Sequence, residues 1–417
     1  MPQEIAMDRE ILVKWRDGHQ AWLGLIDFLR LHRLFTAPWY LVLLFLFMVS
    51  LGFSTLDQFG ISFGKTFASV SGPRATNESN SFTVALSKQD LTKRLRRQGY
   101  IKVGNNSDAV RYVKHPWGYW GIFLLHLGLL IVVASSLLVT ATRKQGVIRL
   151  AEGEIHRPAQ PWLYEEHGLF VAPLKLPESV RLLRLTPEYG KDDNLKKLQS
   201  AVNFVSAQGL VNQQVIATDS ILNYQGLRIY QKADFGNDFH LIFSARGERK
   251  GRAVIDLVAP LAKDKASYGD FDFVGLPYHL MAKYYADAEK KSLLSDNPLL
   301  TIRLLDKDRI VGELSLTSGA RGKLGPYQVQ LAKVKRWTYF IFIDTCGMNG
   351  VFLGFFIIIL GGMLGYFTIP RELYGMRKND GSLRMFWRVT KFNSLYQHEF
   401  EMIKSMLIML EDKKTNG

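Results

Sequence analysis

The sequence predicts an α-helical integral membrane protein with three spans and a large β-rich extracytoplasmic domain. Three apolar runs, at 38–56, 117–140 and 351–368, each hold 18 or more residues without Asp, Glu, Lys or Arg. At about 1.5 Å per residue, such a helix crosses the roughly 30 Å hydrocarbon core of a bilayer. Between the second and third runs, about 200 residues alternate apolar and polar side chains in short stretches, a pattern typical of antiparallel strands.

The chain begins with an interfacial segment, residues 1–36, and continues into the first span at 37–56. Within the segment, residues 21–35 mix apolar side chains with charged ones. This mixture favours a helix that lies in the membrane interface rather than across it. Pro38 and Trp39 open the span, with the tryptophan ring at the level of the lipid headgroups.

Residues 57–116 are predicted to be a basic cytoplasmic loop, because they carry ten Lys or Arg against four acids. Within this loop, Ser87–Tyr100 has the apolar spacing of a short amphipathic helix. The second span follows at 117–141 and contains His126.

The second half of the chain divides into a β-rich extracytoplasmic domain at 142–349, a third span at 350–368 and a basic cytoplasmic tail at 369–417. Span 3 contains two GxxxG pairs, which predict close packing against another helix of this chain or of a partner. The pairs are Gly350 with Gly354 and Gly361 with Gly365.

The charge distribution predicts the orientation. The chain has 53 Lys and Arg against 38 Asp and Glu, and much of the excess lies in the loop 57–116 and the tail 369–417. The positive-inside rule places both segments in the cytoplasm. The β-rich domain is then outside, and three spans place residue 1 outside as well. Membrane topology therefore explains the basic balance, and without a nucleic-acid motif we expect no nucleic-acid partner.

The chain has one cysteine, Cys346. A single thiol excludes an internal disulfide, a CxxC redox pair, a Cys-rich metal site and a c-type haem attachment motif of the chain's own. The sequence also shows no Ser-His-Asp set, HExxH motif or paired-carboxylate site, so nothing in the residues predicts an enzyme, and we assign no catalytic residue.

His126 is the candidate functional residue. An ionisable group at membrane depth costs several kcal/mol unless it is neutral or paired, and so is a functional candidate. A neutral imidazole presents a lone pair suited to iron, and a flat porphyrin would lie against an apolar wall on the same helix face. A packing contact with a neighbouring helix and a proton relay are the alternatives. At about 100° per residue the wall comprises Tyr119, Ile122, Leu129, Leu130 and Val133.

Three stretches resemble the ResB/CcsB family. Residues 115–154, with the core His-Leu-Gly-Leu-Leu and a later Glu-Gly-Glu, are similar to the family's span that leads into its extracytoplasmic domain. Residues 219–236 resemble the family's stretch ending in Tyr-Gln, and residues 369–403 resemble its cytoplasmic tail. The order of span, β domain, span and tail also matches, so the resemblance covers roughly residues 36–405.

The resemblance implies a function. ResB/CcsB proteins pair with a CcsA/ResC-type membrane partner in the system II cytochrome c synthase of the bacterial cytoplasmic (inner) membrane. The complex moves haem b outward, bound transiently, and attaches it to apocytochrome c; a thiol–disulfide reductant protein is a further expected partner. His126 matches the family's proposed axial ligand to haem iron. The chain has no tryptophan-rich haem-handling segment, so we expect a haem-binding subunit, with thioether formation belonging to the complex.

The chain departs from the family at two places. Relatives usually have an additional span before 37–56, and relatives commonly have Asp-Pro-Gly where Cys346 stands. We expect Cys346 to be a buried structural thiol rather than a haem-linked one. The competing hypothesis is a membrane-anchored scaffold or sensor with an envelope-facing binding domain, in which His126 is a packing contact. In that domain, Gly226–Gln231 fits a core strand or a docking edge.

Overall fold

The structure, a computed structural model, describes residues 15, 17–31, 34, 37–67, 80–85, 87–105, 109–245, 248–272, 278–295, 297–307 and 309–415. Residues 1–14, 16, 32, 33, 35 and 36 of the predicted interfacial segment therefore lie outside the described residues. The chain divides into two compact units, Met1–Thr140 with Cys346–Gly417, and Ala141–Thr345.

The first unit contains the apolar helices. Three helical segments, Pro38–Phe67, Pro116–Thr142 and Met348–Phe367, are long and apolar enough to cross a membrane, with mean hydropathies of 2.0, 2.6 and 2.2. They confirm the prediction of three such helices, and the second begins with a 3-10 turn at Pro116–Tyr119. The helices of this unit are α1 (Gln20–Phe28), α2 (Pro38–Phe67), α3 (Lys88–Arg97), α4 (Trp120–Thr142), α5 (Met348–Phe367) and α6 (Gln397–Thr415).

Helix α2 is longer than predicted. It runs for 30 residues to Phe67, whereas the sequence analysis ended the span at Leu56. No proline interrupts this extension, and it packs against the start of α4. The Ser62 hydroxyl donates to the Tyr119 carbonyl oxygen at 2.7 Å. At about 1.5 Å per residue the helix is about 45 Å long, which exceeds the roughly 30 Å thickness of a hydrocarbon core.

The segments predicted as a basic loop and a basic tail are not a loop and a tail, because together they form one antiparallel sheet. Its order is β1-β20-β19-β3-β2. β19 pairs with β3, which precedes α4, and with β20, which follows α5. Both segments therefore lie on the same side of any bilayer that α4 and α5 cross. The strands are β1 (Ser81–Val84), β2 (Tyr100–Asn105), β3 (Ala109–Lys114), β19 (Arg371–Arg377) and β20 (Leu383–Val389).

Helices α3 and α6 cover one face of this sheet. Leu91 and Leu95, four residues apart on α3, are fully buried with Phe400 and Ile403 of α6 against Trp387 of β20. The other positions of α3 are mostly charged or polar, so the amphipathic helix predicted in this stretch is present. The unit thus joins a membrane-type helix bundle to a small α/β layer.

The second unit is β-rich, as predicted, and contains three antiparallel sheets. The largest has the order β10-β11-β18-β4-β6, with β12 beside β11 and β17 beside β18; the others are β13-β14-β15-β16 and β5-β7-β8-β9. The strands are β4 (Lys144–Ala151), β5 (Ile155–His156), β6 (Tyr164–His167), β7 (Ser179–Tyr189), β8 (Leu195–Val205), β9 (Val211–Ala217), β10 (Leu222–Tyr224), β11 (Leu227–Ala245), β12 (Glu248–Val258), β13 (Ser267–Asp272), β14 (His279–Tyr285), β15 (Leu299–Asp306), β16 (Arg309–Leu316), β17 (Arg321–Leu324) and β18 (Tyr327–Asp344).

Two long strands, β11 and β18, connect two cores. β11 pairs with β10 near its start and with β12 later, and its register against β18 shifts between Gln231 and Phe235. Such an irregularity bends the strand. One core includes Ile229 and the β7–β8 side chains, and the other includes Phe239 and the β14–β15 side chains. The Gly226–Gln231 stretch enters β11 between β10 and β18, so it belongs to a core strand and not to a docking edge.

Candidate functional site

His126 lies on α4 and is hydrogen-bonded to its own helix. Its Nδ1 is 2.9 Å from the carbonyl oxygen of Ile122, one turn earlier. A carbonyl oxygen only accepts, so Nδ1 is the donor; in the neutral form of the ring the lone pair then lies on Nε2. Within the described part of the chain Nε2 has no hydrogen-bond partner. The side chain is half-buried.

This bond bears on the packing-contact alternative. That role needs a hydrogen bond from the imidazole to a neighbouring helix. The bond that the ring makes is to the preceding turn of α4, four residues away. The ring is therefore held in one orientation without linking two helices.

The predicted apolar wall is only partly available. Ile122 and Leu129 are exposed beside His126, whereas Tyr119 and Val133 are buried. Tyr119 precedes α4 in the 3-10 turn, and its hydroxyl donates to Glu372. The structure therefore makes Tyr119 part of a buried polar cluster rather than of an open wall, and leaves Ile122 and Leu129 as the exposed wall residues.

The face of α4 away from His126 packs closely on α5. A Cβ at Gly128 would lie 2.7 Å from the Gly354 carbonyl oxygen, and one at Gly361 would lie 2.7 Å from the Leu125 backbone nitrogen. Only glycine allows backbones to approach this closely. The GxxxG pairs thus make their close contact within this chain. At about 100° per residue, His126 points about 160° away from Gly128.

Helix α2 packs on the start of α4 with aromatic and polar contacts. The indole Nε1 of Trp120 donates to the Thr66 hydroxyl at 3.1 Å. Phe59 makes ring contacts with Trp120 and with Phe123, at centroid distances of 5.7 and 5.5 Å. Phe123 is one turn before His126, so α2 and α5 both fix the part of α4 that carries the imidazole.

A buried ion pair lies where the strands meet the helices. Arg111 of β3 donates to Glu372 of β19 at 3.0 Å, and both side chains are almost fully buried. Tyr119 and Tyr374 also donate to Glu372. Burial alone would raise the pKa of Glu372, but the two tyrosine hydrogen bonds and the Arg111 charge lower it below its usual value. Burial and the neighbouring carboxylate raise the pKa of Tyr374 to about 12.

The sequence analysis missed this cluster. Its members come from three elements, and no local motif joins them. The sequence signal for this cluster is a charged residue, Arg111, within the mainly apolar strand "AVRYVK" (Ala109–Lys114). The residues before and after Arg111 are buried. A charge in such a position needs a buried partner, although the sequence does not say which.

Other candidate groups are simpler. Cys346 is exposed, contrary to the expectation of a buried thiol, because it lies in the turn between β18 and α5. Among the described residues, no three His, Cys, Asp or Glu side chains group closely enough to hold a metal ion. A single imidazole with an open nitrogen is instead suited to a metal that brings its own equatorial ligands, as haem iron does.

The sequence model of the ResB-like family matches residues 1–318, which include α4, His126 and most of the β-rich unit. No curated protein matches the chain.

Proposed function

The chain belongs to the ResB-like family, and from this premise we propose that it is the ResB/CcsB-like subunit of a system II cytochrome c synthase complex. The family suggests a role in cytochrome c biogenesis. In the proposed role the subunit binds haem transiently as it crosses the membrane and supports its attachment to apocytochrome c. Haem is the transported substrate, and thioether formation belongs to the complex with a CcsA/ResC-type partner.

The observation that carries the proposal is the hydrogen bond from His126 Nδ1 to the Ile122 carbonyl oxygen. Histidines that bind metal through one ring nitrogen usually donate the other N–H to a carbonyl or carboxylate, which fixes the tautomer and the ring orientation. His126 has this arrangement before any ligand binds. Exposed Ile122 and Leu129 supply apolar contacts for the porphyrin ring.

The proposed topology is multi-pass in the bacterial cytoplasmic membrane. The sheet that pairs β3 with β19 keeps the two basic segments on one side, and the positive-inside rule makes that side the cytoplasm. The β-rich unit is then extracytoplasmic, where apocytochrome c and a thiol–disulfide reductant would approach it.

The test is a haem spectrum of the subunit purified with its partner. We expect His126→Ala to lose or shift the Soret band and to lower holocytochrome production, and we expect added imidazole to restore the band by replacing the missing ligand. His156→Ala is the matched control, because His156 lies in the β-rich unit against Trp162. An unchanged spectrum with normal holocytochrome production in His126→Ala would refute the ligand assignment and leave the scaffold or sensor hypothesis.

A further inference from the structure

A short loop after β6 exposes two large apolar side chains. Leu169 is 74% exposed and Phe170 is 82% exposed, whereas Gly168 between them and β6 is buried. Single exposed apolar side chains are normal on protein surfaces, whereas contiguous exposed apolar area is a feature of membrane and protein contact sites.

The backbone of this loop is tied to the end of an apolar helix. The Gly168 N–H donates to the Arg143 carbonyl oxygen at 2.7 Å, and the Phe170 N–H donates to the Ala141 carbonyl oxygen at 3.3 Å. Ala141 lies in the last turn of α4, a segment long and apolar enough to cross a membrane. In a bilayer that this segment crosses, the loop tip would lie near the level at which the segment leaves the hydrocarbon.

The charges around the loop suit lipid headgroups. The Arg143 guanidinium donates to the Gln145 side chain and, within the described part of the chain, has no carboxylate within ion-pair distance. The adjacent Lys144 is already paired with Asp344 at 3.0 Å. Arg143 is thus left to bind a phosphate oxygen at the level where an apolar tip enters the acyl region.

We propose that Leu169 and Phe170 insert into the headgroup–acyl boundary of the bilayer and anchor the β-rich unit to the membrane surface. The partner is the lipid itself. The two backbone hydrogen bonds hold the loop in place, so little conformational freedom is lost when the side chains insert. A phenylalanine and a leucine beside an arginine are typical of interfacial membrane contacts.

The test uses the full-length chain without its partner or haem, reconstituted in phosphatidylethanolamine–phosphatidylglycerol vesicles. The single cysteine is removed by Cys346→Ser, and a nitroxide spin label is placed at Phe170→Cys or, independently, at Leu169→Cys. Leu261→Cys is the control, since Leu261 is 87% exposed on a different loop of the same unit. Collision of each label with oxygen and with a water-soluble nickel complex reports lipid or water around it.

We expect the ratio of oxygen to nickel accessibility at positions 169 and 170 to be several-fold higher than at position 261. Equal ratios at the three positions would show that the loop tip lies in water and would overturn the proposal. Low accessibility to both reagents at 169 and 170 would also overturn it, since a protein surface would then cover the tip. Neither result depends on whether His126 binds haem.

Discussion

Replacing Glu372 with alanine should open the junction between sheet and helices. The carboxylate accepts hydrogen bonds from Arg111, Tyr119 and Tyr374. Arg111 is 5% exposed, so Glu372→Ala leaves a guanidinium charge buried without its partner. Removing one member of a buried ion pair costs about 3–5 kcal/mol. The cost falls on β3, β19 and the turn before α4, which the cluster joins.

Amide hydrogen exchange of the full-length protein in detergent measures this loss locally, because it reports the opening of individual elements. At about 1.4 kcal/mol per factor of ten, a loss of about 3–5 kcal/mol should make exchange in β3 and β19 faster by roughly two to three and a half orders of magnitude. The control is the double variant Arg111→Met with Glu372→Leu, which removes both charges and should exchange clearly more slowly than Glu372→Ala, with a remaining loss from the Tyr119 and Tyr374 hydroxyls that lose their acceptor. A wild-type exchange rate in Glu372→Ala would contradict this prediction. An exchange rate in the double variant equal to that of Glu372→Ala would contradict it as well.

The same residue gives a pH dependence with a defined sign. The pKa of Glu372 is lowered from a usual value near 4.5, because hydrogen bonds and the Arg111 charge outweigh the effect of burial. A carboxylate with a depressed folded pKa contributes stability that is complete above pH about 4.5 and is lost as the pH falls through the folded pKa. Exchange in β19 should therefore accelerate only at more acidic pH. Glu372→Gln should remove this acid-dependent part.

Three further predictions test other contacts. Gly361→Ala should lower the thermal midpoint of the solubilised protein by an amount equivalent to about 1–3 kcal/mol, because its Cβ would meet a backbone nitrogen of α4 at 2.7 Å; Gly362→Ala, which meets nothing within 4 Å, should not lower it. Glu399→Gln should lower the free energy of opening of α6, measured by amide exchange, by about 1–2 kcal/mol, because the Glu399 carboxylate pairs with Lys114 and Arg371 of the sheet. The surface variant Glu401→Gln should leave this free energy nearly unchanged. Tyr284→Phe should destabilise the β-rich unit by about 1–3 kcal/mol in urea unfolding, because it removes the acceptor of a buried asparagine amide at 2.6 Å.

The elements that sequence reasoning predicted correctly are those set by local pattern. Three local patterns each predict the surroundings of a helix. They are a charge-free run of 18 or more residues, an apolar pair four residues apart in α3, and a small-xxx-small repeat. The glycine repeat predicted close helix packing, and Gly354 and Gly361 do lie against the backbone of α4. The repeat did not predict that the neighbouring helix is α4 of the same chain.

The parts that the sequence did not predict depend on contacts between distant residues. β3 ends at Lys114 and its partner β19 begins at Arg371, with the whole β-rich unit between them in the chain. Their short apolar stretches look like loop and tail when read separately. The same pairing explains why helical spacing alone places Tyr119 on an open wall. Spacing predicts which face of the helix a residue lies on, but it does not predict what covers that face. Tyr119 is buried because its hydroxyl donates to Glu372 of β19.

Helix α4 carries two different surfaces, and their separation limits how haem would meet His126. One surface is closed, because backbone contacts between Gly128 and Gly354 leave no space between α4 and α5. The imidazole points about 160° away from that contact at about 100° per residue, with its orientation fixed by the Ile122 carbonyl oxygen. A porphyrin bound through Nε2 must then approach from the side of Ile122 and Leu129. The three described apolar helices contain one histidine, His126. In the proposed role, a second imidazole ligand at membrane depth would therefore come from the proposed CcsA/ResC-type partner. The partner-free subunit should therefore bind haem with one imidazole from this chain, and the complete complex should change the axial ligation.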